Sequence, residues 1–225
     1  MPALCYGSIK GLVLRATRLN DTGVPQTGAT ASAITSGFIS LNFSANIETG
    51  EEFIVKSANG ALCVNEKDCD QLKGLDLTVD LCQVDPELFE LLGGVRLVDD
   101  GKTTPTNVGY AMGEDLRCSG GFALEVWTRQ SGLGGLIYWL FPWVANGIVG
   151  GEITIENGPV TFQLTGRTKG NPNWGNGPHD VVGQPPDGLA AGPLVDPMGE
   201  AEHYLVQATD IAPPTATCGY VAVTP

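Results

Sequence analysis

A mainly β fold follows from three features of the sequence: a sandwich or barrel-like body with one short packed α-helix and long loops. Short runs of period-two alternation recur along the chain, the pattern of half-buried strands. Glycine and proline are dense between them, 31 and 15 among 225 residues, which suits many turns. Helical spacing with caps at both ends is clearest over about residues 86–92. The length suits one domain over 1–225, with an N-terminal arm at 1–20, a long loop at 169–197 and an extended tail at 211–225.

In chain order, Gly11–Arg18 is apolar first and basic after, entering a first strand. Asn20–Thr35, rich in Thr, Gly and Ala, reads as an extended loop. Phe38–Glu48 is the clearest strand, with Ile39, Leu41, Phe43, Ala45 and Ile47 on one face and Ser40, Asn42, Ser44, Asn46 and Glu48 on the other. Thr49, Gly50, Glu51 and Glu52 turn the chain into Phe53–Ser57, and Asn59-Gly60 marks a second turn. Leu75, Leu77, Val79 and Leu81 then alternate with Asp76, Thr78, Asp80 and Cys82. Asp85 stands as N-cap and Pro86 at the first helical position, where its missing N–H costs nothing. Leu88, Leu91 and Leu92 give the apolar stripe, and Gly93 supplies a left-handed stop. This strand–helix unit, 75–94, is the expected anchor of the fold.

Further on, Val95–Val98 leads into a loop through Pro105, Phe122–Thr128 alternates again, and Leu136–Val144 reads as a buried run in which Pro142 marks a strand end or an edge. Glu152–Glu156 and Pro159–Arg167 flank Asn157-Gly158 as a hairpin, with Glu152, Thr154, Glu156, Thr161, Gln163 and Thr165 on its polar face. Residues 169–197 form a loop long enough to indicate function or packing against another chain. Glu202–Thr209 reads as the last long strand.

Twenty-five acidic against twelve basic residues give a formal charge of −13, which disfavours a protein that grips nucleic acid. No apolar run reaches the ~18 residues of a membrane span. The N-terminus lacks the basic start and apolar stretch of a secretory signal. Six scattered cysteines, without zinc spacing, read as reduced and partly buried thiols.

No catalytic, cofactor or metal signature emerges, and the chain reads as a non-enzyme. His179 and His203 lack local partners for a Ser/His/Asp site. No Walker loop, Rossmann fingerprint or nucleophile elbow is present. The carboxylate pairs Glu152/Glu156 and Asp76/Asp80 lie ~13 Å apart along their strands, beyond the ~5–9.5 Å that glycoside hydrolysis uses. A carbohydrate-active enzyme using Trp174 and such a pair is therefore the weakest alternative. The polar strand faces are dominated by Ser, Thr, Asn, Gln and acids and almost lack bases, whereas an ordinary exposed sheet mixes both signs.

The order of a long alternating strand, an acidic turn, a returning strand and LDLTVDLCQVDPELFELLGG resembles the major tail tube proteins of long-tailed (siphovirus-type) bacteriophages. The later VTFQLTGRTKGNPNWGNGP resembles those of actinobacterial phages. The resemblance spans roughly residues 36–210 in element order. It implies a structural virion protein without a cofactor, whose hexameric rings stack into a tail tube through which genomic DNA passes during ejection. It also implies tape-measure and tail-tip or terminator proteins as partners, and assembly in the host bacterial cytoplasm before residence in the virion tail. A capsid decoration or adhesin-like sandwich is the main alternative.

A duplex presents one phosphate charge per ~1.7 Å, so a lysine-lined wall would hold it at every ring, whereas a hydroxyl-rich acidic wall leaves it free to slide. On that reading the lumen-facing candidates are Ser40, Asn42, Ser44, Asn46, Glu152, Thr154, Glu156, Thr161, Gln163 and Thr165. Asp76 and Asp80 are secondary ones. Thr49, Gly50, Glu51 and Glu52 are expected to touch the next ring, and Arg15 and Arg18 to make intersubunit ion pairs.

Overall fold

The computed structural model describes residues 9–114, 120–130, 135–150, 153, 160–184 and 190–224. Among the described residues the fold is mainly β, with antiparallel sheets, one short helix and no closed barrel. The strands are β1 (Ile9–Leu19), β2 (Gly28–Thr35), β3 (Phe38–Glu48), β4 (Glu52–Lys56), β5 (Leu62–Lys67) and β6 (Gln71–Leu81). Helix α1 (Pro86–Gly93) follows, then β7 (Arg96–Asp99), β8 (Asn107–Ala111), β9 (Gly121–Gln130), β10 (Leu136–Val149) and β11 (Phe162–Thr168). The remainder are β12 (Val182–Gln184), β13 (Ala190–Gly192), β14 (Leu205–Thr209) and β15 (Thr217–Val223).

Nine strands form one sheet in the order β15-β2-β1-β9-β10-β11-β6-β3, with β14 also on β10. Strands from distant parts of this order contribute to a single apolar cluster, so the sheet bends around α1. Leu14 and Ala33 from one end meet Leu75, Leu77, Val79 and Leu81 of β6 and the helix residues Leu88, Phe89, Leu91 and Leu92. The alternation read from 75–81 thus supplies one wall of this cluster, while α1 itself lies closest to β10, β8, β15 and β2.

Asp85 caps α1 by accepting from the amides of Glu87 at 3.1 Å and Leu88 at 3.2 Å. Its second oxygen accepts from the Gly219 amide at 2.9 Å, tying β15 to the helix start. The left-handed stop is Gly94 at φ 69°, not Gly93. Gly93 is the last helical residue and is buried, because its bare Cα faces Val149. Close approach recurs at Gly147, where an added Cβ would lie 2.2 Å from the Leu92 carbonyl oxygen.

Three expectations are corrected. Residues 28–35 form β2, paired with both β1 and β15, rather than a loop. Their small side chains suit a strand beneath a helix, and Ala31 and Ala33 are fully buried. From Ile9 onward the expected arm is β1, an interior strand between β2 and β9. Pro142 does not end a strand. It lies inside the 14-residue β10, where the register against β9 shifts between Phe141 and Val144. There β10 exchanges partners, pairing β14 up to Leu140 and β11 from Val144. A bulge of this kind accommodates a residue without an N–H.

The long loop packs on its own chain. Trp174, Val181, Leu194 and Met198 cover Leu19, Ala123, Trp127, Tyr138, Leu140 and Trp143 on the back of the sheet. Asn171, fully buried, donates to the carbonyls of Gly23 at 2.9 Å and Pro142 at 2.8 Å, fastening this flap at the bulge. The thiols of Cys63, Cys69, Cys82 and Cys218 are free and exposed rather than partly buried; Cys5 and Cys118 lie outside the described residues.

Replacing Gly147 by alanine should destabilise the protein by about 1–3 kcal/mol, since backbone oxygen blocks the new methyl. Asp85→Ala should cost about 1 kcal/mol or more through loss of the cap. Urea unfolding of each variant, with the slope unchanged, measures both.

Candidate functional site

β6 brings the two sequence-distant polar strands onto one surface. Pairing places Ser40 opposite Asp80, Asn42 opposite Thr78 and Ser44 opposite Asp76. On the other side of β6, Gln163 stands opposite Asp80, Thr165 opposite Thr78 and Arg167 opposite Asp76. The result is three rows of three polar residues across β3, β6 and β11. Their sheet-mates with the opposite pleat, Leu77, Val79 and Leu164, are buried.

Hydrogen bonds cross this face. Asp80 accepts from Ser40 Oγ at 2.6 Å and from Gln163 Nε2 at 3.1 Å. Asp76 accepts from Arg167 Nε at 2.6 Å and from Asn46 Nδ2 at 2.9 Å. Arg167 first, and Asn46 after it, hold the Asp76 carboxyl below its ordinary range. Both aspartates therefore have donors. With Arg167 present, the surface is rich in hydroxyls and amides and only mildly acidic.

Ser40, Asn42, Ser44, Asn46, Gln163 and Thr165 thus belong to one face. Thr161 is exposed just before β11. Glu152, Thr154 and Glu156 lie outside the described residues. Asp76 and Asp80, ranked second from sequence, stand at the centre of the face, and Thr78 and Arg167 complete it. Only the register of β6 between β3 and β11 reveals their place.

Thr49, Gly50 and Glu51 connect β3 to β4, and Glu52 opens β4. The Gly50 amide donates to Asp70 at 3.0 Å, and an added Cβ there would meet the Asp68 carbonyl oxygen. Beyond this junction the hairpin β4–β5 is exposed at every position. Phe53, Ile54, Val55, Leu62 and Val64 are all at least 39% exposed.

Arg15 and Arg18 depart from expectation, because carboxylates of the same chain take up both guanidinium groups. Arg15 is buried and forms a two-point bond to Glu125, both contacts at 2.7 Å. Tyr138 Oη donates to Glu125 at 2.6 Å, and the flap brings His179 Nε2 to 3.7 Å from it. Burial pushes the Glu125 carboxyl up, but Arg15, with help from His179 and Tyr138, leaves it below its ordinary value. Burial holds the His179 imidazole below its usual value despite the Glu125 charge. Arg18 bonds Glu90 at 2.5 and 3.1 Å, and Tyr220 Oη donates to the same carboxylate at 2.7 Å. These partners are 110 and 72 residues distant from the arginines, beyond the reach of local pattern.

Among the described residues, no group of three His, Cys, Asp or Glu side chains could hold a metal ion, and no helix is long and apolar enough to cross a membrane. No family model and no curated protein matches this chain.

Glu125→Ala would leave Arg15 buried without a partner and should cost about 3–5 kcal/mol. Acidification should also destabilise the protein. The lowered His179 value means the unfolded chain takes up that proton first, so stability falls as pH drops below about 6.5. The lowered Glu125 value adds a loss of the same sign at lower pH. Thermal midpoints between pH 7 and pH 5 should fall less in His179→Gln than in the parent. His203, also lowered by burial, contributes in the same direction, and His203→Gln is the matched comparison.

Proposed function

We propose that this chain is a structural virion subunit, a tail tube protein that forms stacked hexameric rings around a DNA-conducting lumen. The observation that carries this reading is the polar face on β3, β6 and β11, whose one arginine is paired with Asp76. Such a wall offers a passing duplex hydration without cationic anchoring, whereas unpaired lysines would capture phosphates and release counterions. The face ends at β3, an edge strand of eleven residues without proline or lysine. Its outer side has no partner among the described residues. A long unprotected edge invites pairing with another copy and is a hazard in a chain meant to remain alone. Tape-measure, tail-tip and terminator proteins are the partners this role requires, with assembly in the bacterial cytoplasm and residence in the virion tail.

Negative-stain microscopy of the purified protein should reveal hollow tubes or six-membered rings; compact monomers at all concentrations would sink the proposal. In assembled tubes, Asn42→Lys with Thr165→Lys should create salt-sensitive retention of duplex DNA that the parent lacks. Retention indifferent to these changes would remove the polar face from the lumen.

A further inference from the structure

We infer that a second copy of this chain docks head-to-tail, its hairpin β4–β5 entering an apolar mouth at the other end of β3. The inference deepens the proposed function by naming the surfaces that join, and rests on the self-assembly in it. The mouth is a groove of about 430 Å³ between β3 and the β1–β9–β10 part of the sheet. Phe38, Ile39, Leu41 and Phe43 form one wall, and Val126 and Trp139 lie opposite. The groove continues the central cluster outward, since Phe38, Leu41 and Trp139 pack against that cluster from its margin. Ile39 is 56% exposed and Phe43 39%. The core is therefore left open here rather than sealed by a side chain of its own.

The hairpin has the complementary character. Phe53, Ile54 and Val55 are consecutive, so β4 presents apolar side chains on both faces, and none is covered. Its own mouth is not the natural receptor. Leu41 and Glu48 are seven strand positions apart, ~23 Å, and the hairpin begins beyond Glu48.

Charge favours the same match. Segment 51–70 carries Glu51, Glu52, Glu66, Asp68 and Asp70 against Lys56 and Lys67. At the mouth stands Lys10, with Arg129 as its cross-strand neighbour. Both are exposed, and neither has an ion pair among the described residues. In a chain of charge −13, a basic rim around an apolar groove selects an apolar element with acidic flanks, and the hairpin is one. A knob and a receptor at different places on one molecule give a heterologous contact, which propagates into rings or filaments rather than stopping at a dimer.

The test uses the full-length chain in sedimentation velocity, with circular dichroism checking that each variant stays folded. Phe53→Asp with Val55→Asp damages the knob, and Ile39→Asp damages the mouth. Each should raise the concentration needed for association by about tenfold or more. Lys10→Glu should weaken association at low salt and much less at high salt. Mixing knob-damaged and mouth-damaged chains should restore one-to-one pairs, since each retains the surface the other lacks. Tubes that form equally well from both variants would overturn the docking and leave the tube reading standing. Knob-dependent pairing without tubes or rings would do the reverse. A parent that stays monomeric throughout overturns both.

Discussion

The structure depends on the pleat of β6. Its leucine side must join the apolar cluster while its aspartate side faces outward, and both demands are met by eleven residues of one strand. A one-residue slip would exchange the two faces, driving Asp76 and Asp80 into the cluster that holds Leu88, Phe89 and Leu91. That penalty fixes the register of β6, and β6 in turn fixes β3 and β11 on either side. Core wall and polar surface are two consequences of one alternation.

The back of the sheet follows a different logic. Glu125 is fully buried, yet its charge is met by Arg15, Tyr138 and the edge of His179. Arg15 also lies 4.9 Å over the Trp127 ring. A buried ion pair adds less to stability than its geometry suggests, because both ions lose water. Its stronger effect is on arrangement: β1, β9 and β10 must present these groups together, and the flap must close over them. Trp174, Val181, Leu194 and Met198 then shield the site with apolar surface.

Alternation and cap chemistry were legible in the sequence where side chains contrast. Phe38–Glu48 emerges at its stated bounds, and Asp85-Pro86 opens the helix as its chemistry requires. β2 was hidden because Ala, Ser and Thr differ too little in polarity to display a period of two. The stop moved from Gly93 to Gly94 because the first glycine is needed for close packing and the second for a positive φ. Pro142 misled because proline argues against an interior strand unless a bulge accommodates it, and bulges have no local sequence signature. For the site, the face residues of β3 and β11 were readable one strand at a time. Their union across β6, and the capture of Arg15 by Glu125, are properties of register and distance in space.

The clip between β15 and the helix has a consequence for synthesis. Asp85 receives the amide of Gly219, and Glu90 receives the hydroxyl of Tyr220, both more than a hundred residues later in the chain. At translation rates of about 5–20 residues per second, α1 waits several seconds or longer for these two contacts. Until they arrive, β2 keeps an open edge and the helix start keeps a carboxylate only partly engaged. A chain that stops before residue 217 never acquires them. Its sheet would end at β2, with that strand's outer edge unpaired and the helix start without its tie to the C-terminal strand.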